Sequence, residues 1–234
     1  MKTSEYKKLI KAAIKSFWET KQKQLTASGD TSNRGAVVGG KQLDAFAEML
    51  KTIAIEHGVP EKYIYTRQAY LPGYFRSSKD WDFLIIAPNK KLIAAVELKS
   101  QIGSYGNNFN NRTEEAIGSA VDLWTAFREK QFPEQVAPWI GYLTIVGKDE
   151  ASMNPVRNNE PHYPVLPEFK TASYLDRYRI LCQKLILERH YTMAALVCTS
   201  GPRHFESVSE DTSIERFILS FIGHLIGNQG EFQQ

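Results

Sequence analysis

The chain has 234 residues, 42% of them hydrophobic and 24% charged, a composition that builds a packed core. Its formal net charge of +3 admits an anionic partner without requiring one. No run approaches the ~18 apolar residues of a membrane span, and the start "MKTSEYKKLIKAAIKSFWE" lacks the apolar centre of a secretory signal. Cys182 and Cys198 fit no zinc or redox spacing, so they read as plain core thiols of a protein in a reducing cytoplasm.

Residues 4–23 are predicted to form a helix, with Tyr6, Leu9, Ile10, Ala13, Ile14, Phe17 and Trp18 at helical spacing and lysines on the other face. "TASGDTSNRGAVVGG" (26–40) reads as a polar, glycine-rich loop. A second helix spans about 41–56, with Leu43, Phe46, Ala47, Leu50 and Ile53 on one face. Aromatic and β-branched residues predict a strand over 62–70, and further strands cover 82–87 and 91–99. "GSYGNNFNNR" (103–112) reads as a loop, before a helix over 113–130 with Thr113 as its N-cap. A strand (138–147), a helix (174–190), a strand (192–200) and a helix (211–227) complete the chain. Pro155, Pro161, Pro164 and Pro167 mark one long connection. This order predicts a single α/β domain over 1–234 with a mixed sheet: N-terminal helices within 1–60, a core of about 61–200 and a C-terminal helix.

One strand is unusual. In "AAVELKSQIGS" (94–104), side chains alternate, so Val96 and Leu98 share one face while Glu97 and Lys99 share the other. A symmetric turn centred between Asn89 and Lys90 places Asp82 of the preceding strand directly opposite Glu97. An odd-numbered loop breaks that register. Asp80 is a competing acid, but it faces Lys99 in the same register. Two facing carboxylates repel unless positive charge lies between them. Lys99 is one such charge and a divalent cation is another. The bland alternative is a charged strand face that is simply solvated, but the flanks "LIAAVEL" are apolar. Two carboxylates suit Mg²⁺, which keeps several of its waters, and an adjacent lysine suits hydrolysis of a phosphodiester.

Asp82, Glu97 and Lys99 together spell D-x(14)-E-x-K, which resembles the PD-(D/E)XK nuclease pattern, with Trp81 where a proline is usual. "VELKSQIGSYGNNFNNRTEEAIGSAVDLWTAFRE" and the upstream "GGKQLDAFAEML" are similar to the XhoI family of type II restriction endonucleases. The resemblance implies a restriction-endonuclease-like core, a central mixed β-sheet flanked by helices. It also implies a Mg²⁺-dependent homodimer that cuts both strands of double-stranded DNA at CTCGAG, after the first C, leaving a four-base 5′ overhang. A prokaryotic cytoplasm and a companion DNA methyltransferase go with that role. Asp82, Glu97 and Lys99 are then the catalytic residues, with Asp82 and Glu97 as metal ligands.

Glu48, on the second helix, is a further candidate ligand by the same resemblance; otherwise it is an exposed helix glutamate. Glu114 and Glu115 either assist the site or answer the dipole of a helix start. Asn107, Asn108, Asn110, Asn111 and Arg112 are candidate DNA contacts, because Asn pairs bidentately with adenine and Arg with guanine; a turn-rich connector is the alternative. Arg203 and His204 in "SGPRHFE", and Arg34 in "TSNRG", are weaker candidates. The five histidines show no metal-ligand spacing, and no phosphate-binding G-x-x-x-x-G-K-[ST] motif occurs. Rival readings are a structure-specific repair or recombination nuclease, a non-catalytic DNA-binding scaffold, and an interaction protein with a wet strand face.

Overall fold

A computed structural model describes residues 3–27 and 41–233 of the chain. Arg34 and the stretch 28–40 lie outside the described residues. Helix α1 (Thr3–Ala27) runs past its predicted end, with Tyr6, Ile10, Ala13, Ile14 and Phe17 buried as their spacing predicts. Helix α2 (Asp44–Glu56) buries Phe46, Ala47, Leu50 and Ile53. The strands are β1 (Ile64–Tyr65), β2 (Tyr70–Pro72), β3 (Ser78–Asp80), β4 (Phe83–Ile86), β5 (Leu92–Gln101), β6 (Trp139–Gly147), β7 (Met193–Gly201) and β8 (His204–Ser207). The later helices are α3 (Tyr105–Arg128), the short α4 (Glu150–Met153), α5 (Tyr174–Leu187) and α6 (Ile214–Gly227).

Among the described residues, six strands form one mixed sheet in the order β1-β4-β5-β6-β7-β8, while β2 and β3 pair only with each other. The central β5, β6 and β7 run parallel, and the flanking strands join them antiparallel. Parallel neighbours need long crossovers, which α3 supplies between β5 and β6 and α5 between β6 and β7. The C-terminal ends of the three parallel strands therefore share one edge of the sheet. Both faces are covered, which is why these strands read as nearly continuous apolar runs.

The period-two alternation of β5 sorts its side chains between two cores. Ala94, Val96 and Leu98 join the cluster that includes Phe17, Phe46, Phe217 and Phe221 of α1, α2 and α6. Ala95 joins the cluster that includes Ala116, Ala120, Tyr178 and Leu185 of α3 and α5. Glu97 and Lys99 share the face of Ala95, toward α3. Cys182 and Cys198 are free, buried thiols of that second core. Among the described residues no helix is long and apolar enough to cross a membrane.

Three predicted elements are corrected. The strand over 62–70 is cut down to β1, because Tyr63 belongs to a 3-10 turn and Gln68 takes a left-handed backbone with φ 51°. The predicted loop at 103–112 is mostly helix: α3 begins at Tyr105, and Ser104, with φ 50°, holds the N-cap position. Tyr105 and Phe109 continue the apolar stripe of α3 back through the asparagines. Tyr105 is buried, its hydroxyl donating to Gly147 O and to Asp149 Oδ2, and Phe109 packs edge-on against Tyr178. Packing outweighs the turn preference of Asn and Gly. Thr113 is therefore inside the helix, its hydroxyl donating to Phe109 O at 3.0 Å. The hairpin β2–β3 and strand β8 were not predicted at all.

Candidate active site

The β4–β5 hairpin sets the register of the acids. Phe83 pairs with Val96, Leu84 with Ala95 and Ile85 with Ala94, so the next position pairs Asp82 with Glu97. The turn itself is not symmetric. Ala87 N donates to Lys91 O across a three-residue connection, and Lys90 is left-handed at φ 69°. A bulge between Ile85 and Ile86 absorbs the odd residue and restores the expected register beyond it.

The backbone ladder stops at Phe83, and the Asp82 side chain takes over: its Oδ2 accepts the Leu98 N–H at 2.7 Å. Glu97 is 1% exposed. Its carboxylate holds two lysines, with Oε1 paired to Lys99 and Oε2 to Lys79 at 2.6 Å. Lys79 comes from β3, and its ammonium also lies over the Trp81 ring at 5.0 Å. The Asp82 carboxyl is pushed up to about 6, chiefly by burial and then by the charge of Glu97. Burial pulls the Lys99 ammonium down, but Glu97, Asp82 and Glu115 outweigh it and hold Lys99 above its ordinary value.

Two recesses meet at this hairpin. One is an open groove of about 630 Å³ on the α3 face, which brings together Lys79, Glu97 and Lys99 with Arg76, Arg112, Glu114 and Glu115. Glu115 bonds Arg112 at 2.8 Å and lies 4.0 Å from Lys99; Glu114 is exposed at the groove. The other recess lies toward α2, where Asp82 is joined by Glu48, Asp44, Asp80 and Arg67. Glu48 is thus brought to Asp82 but not into the groove of Glu97. Asp80 accepts the Ala69 N–H at 3.0 Å, which gives it a structural role in the β2–β3 region. Among the described residues no cluster of three or more acids, histidines or cysteines forms a metal cage.

The asparagines occupy the first turns of α3. Asn107, Asn110, Asn111 and Glu114 are exposed at helical spacing, so they share a solvent face. Asn108 differs, because its amide donates to Ser104 O at 2.9 Å. Arg203 and His204 lie at the turn into β8 and line a separate recess with Lys7, Lys11 and Lys148. The structure does not bring them to Glu97.

Sequence reasoning missed Lys79, Arg76 and Asp122. Asp122, buried in α3, accepts the Tyr74 and Phe75 amides at 2.8 Å each and the Arg76 guanidinium at 2.7 Å, tying the β2–β3 turn to the groove wall. The turn signal Pro72-Gly73, followed by "YFRSSKDWD", marks this hairpin.

A sheet edge that sets a buried glutamate and two lysines over an open groove, with an aspartate beside them in the adjoining recess, is suited to cleaving phosphodiesters. The family model described as restriction endonuclease XhoI matches residues 21–207. The type II restriction enzyme BstVI of Geobacillus stearothermophilus is 47% identical over 210 residues, spanning 85% of this chain and 94% of that protein. The type II restriction enzyme XhoI of Xanthomonas vasicola is 44% identical over 192 residues, spanning 79% and 77% respectively. AbrI of Azospirillum brasilense, also a type II restriction enzyme, is 36% identical over 170 residues, spanning 70% and 76%. No solved structure gives a significant match. The chain belongs to the XhoI family of restriction endonucleases and is a site-specific deoxyribonuclease.

Proposed function

We propose that the protein, as a homodimer, hydrolyses both strands of double-stranded DNA at CTCGAG, cutting after the first C to leave a four-base 5′ overhang. The observation that carries the chemistry is the buried Glu97 carboxylate, set beside Asp82 and paired with Lys99 at the mouth of the groove. The target sequence is carried over from the family resemblance and from the 44% identity to XhoI. A palindrome is read by a two-fold dimer because the two symmetries coincide.

The donor set fits a divalent cation. Asp82 and Glu97 repel each other strongly enough to help push Asp82 up to about 6, so positive charge between them stabilises both anions. Two carboxylates without a full protein cage match Mg²⁺, which retains waters. Asp82 and Glu97 would hold it, with Glu48 reaching Asp82 from the α2 recess. When bound, the cation neutralises charge on the phosphoryl oxygens and activates water. Lys99 orients the attacking water and stabilises the charge that develops on the phosphate. Attack in line with the departing 3′ oxygen breaks that P–O bond and leaves a 5′ phosphate.

The exposed Asn107, Asn110 and Asn111 face of α3 presents to the major groove, while Arg112, beside Glu115, is placed nearer the phosphate. Lys7, Lys11, Arg203 and His204 form a basic recess along the strand-end edge that suits flanking phosphates. The role implies a prokaryotic cytoplasm and a companion methyltransferase that protects host sites. The test is a digest of plasmid DNA bearing mapped CTCGAG sites, with Mg²⁺ or with EDTA. Discrete fragments that end at those sites, only with Mg²⁺, are expected. Cutting confined to branched or damaged DNA overturns the sequence-specific reading.

A further inference from the structure

Glu97 is more heavily neutralised than a metal ligand needs to be. Both of its carboxylate oxygens face ammonium groups, Lys99 on Oε1 and Lys79 on Oε2 at 2.6 Å, the latter an ion pair without an aligned hydrogen bond. Lys99 is fixed beside Glu97 by the strand they share. Lys79 is not: it arrives from β3, whose only strand partner among the described residues is β2. That hairpin lies outside the hydrogen-bonded central sheet, so Lys79 can withdraw without disturbing β5. Its other holds are weak, a 3.3 Å bond to Asp80 O and the face of Trp81.

We propose that Lys79 is a displaceable counter-ion of Glu97, which holds the buried carboxylate until a divalent cation takes it and then turns to the substrate phosphate. The inference rests on the metal role proposed above for Asp82 and Glu97. A buried carboxylate without a counter-charge is costly, so an enzyme whose cation comes and goes gains from a tethered replacement. A cation at Oε2 competes with Lys79, because two positive charges repel at one oxygen. In the groove, Arg76 is already paired with Asp122 and Arg112 with Glu115. Lys79 and Lys99 share Glu97, and Lys99 has only a further, looser pairing with Glu115 at 4.0 Å. Once a cation claims Glu97, both ammonium groups lose that counter-charge beside an open groove, and an entering phosphate is the anion that replaces it.

The experiment measures Mn²⁺ and Mg²⁺ binding to the DNA-free protein by calorimetry, in the wild type, Lys79→Met, Lys79→Arg and Glu97→Gln. Removing the competing charge should tighten binding about tenfold in Lys79→Met. Lys79→Arg, which keeps the charge, should bind like the wild type or more weakly. Unchanged or weaker binding in Lys79→Met, with binding lost in Glu97→Gln, overturns the inference and leaves the proposed site standing. Unchanged binding in Glu97→Gln overturns both. Single-turnover cleavage at saturating cation tests the second half. Lys79→Met should bind the cation more tightly yet cut at least about tenfold more slowly. A wild-type rate there overturns the phosphate step.

Discussion

The Leu98 N–H donates to Asp82 Oδ2 at 2.7 Å, so one carboxylate of the site is fixed by the backbone beside the other. Leu98 follows Glu97 on β5, and its side chain is buried in the core beneath α2. The hydrogen bond therefore closes the end of the β4–β5 ladder and sets the spacing of the acids in one contact. It also separates two effects of mutation. Asp82→Asn keeps an oxygen acceptor for the Leu98 amide and, below about pH 4 where Asp82 is itself uncharged in the folded protein, should change stability by less than about 1 kcal/mol. Asp82→Ala orphans that amide and should cost about 1–3 kcal/mol. Both should cut DNA at least about a hundredfold more slowly, because each removes the anionic ligand. Urea melts beside plasmid digests check this; an active Asp82→Asn refutes the assignment.

Lys99→Met tests the other half of the pair. Glu97 keeps Lys79 as its counter-ion, so the fold should survive. Specific DNA should still bind, because the asparagine face of α3 is untouched. Cleavage should fall by at least about a hundredfold, the range seen when one transition-state donor is lost. Gel-shift affinity and single-turnover rate, measured on one oligonucleotide duplex, separate binding from chemistry.

The raised pKa of Asp82 has a definite sign in the metal-free protein. Its carboxyl moves from 3.8 unfolded to about 6 folded, so the folded state binds the proton more tightly. The stability it contributes is full below about pH 4 and is lost as pH rises through about 6, on the order of 2–3 kcal/mol. Asp82→Asn cannot titrate. In EDTA, the wild type should therefore lose stability relative to that variant between pH 4 and about 6.5. Bound cation reverses the preference, because it favours the carboxylate; cation affinity should fall as pH drops below about 6. Urea midpoints across pH with EDTA, and calorimetric titrations of Mg²⁺ at matched pH, check both limbs.

The parts of this molecule legible in its sequence are those governed by strong periodicity. The stripe Tyr6, Ile10, Ala13, Ile14 and Phe17 located α1, and alternation in β5 put Glu97 and Lys99 on one face. The Asp82–Glu97 register was also legible, although the symmetric turn assumed for it is absent and a bulge supplies the compensation. The asparagine run misleads because its composition favours a turn, whereas packing uses the i, i+4 pair Tyr105 and Phe109 to extend α3. Lys79 and Asp122 were out of reach for a different reason. Their partners, Glu97 and Arg76, are set by tertiary docking of a short hairpin onto α3, and no local pattern encodes that.

That docking supports a last prediction. Asp122 is 4% exposed and receives two backbone amides and the Arg76 guanidinium. Burial alone would raise its carboxyl, but Arg76, Phe75 and Tyr74 together bring it below the ordinary carboxylate value. Its stabilising contribution is therefore present above about pH 4 and is lost as pH falls through the lowered value. Asp122→Ala leaves both amides without an acceptor and should cost about 3 kcal/mol. Asp122→Asn keeps an oxygen for the amides, and Arg76 is 44% exposed and can be solvated instead; its cost should be nearer 1 kcal/mol. The loosened turn belongs to the hairpin that carries Lys79, so Asp122→Ala should also slow cleavage without touching a metal ligand. Hydrogen exchange localises the effect: the Tyr74 and Phe75 amides should lose protection in Asp122→Ala while those of β5 and β6 keep theirs. Retained protection at Tyr74 and Phe75 shows that the turn is held by something other than Asp122.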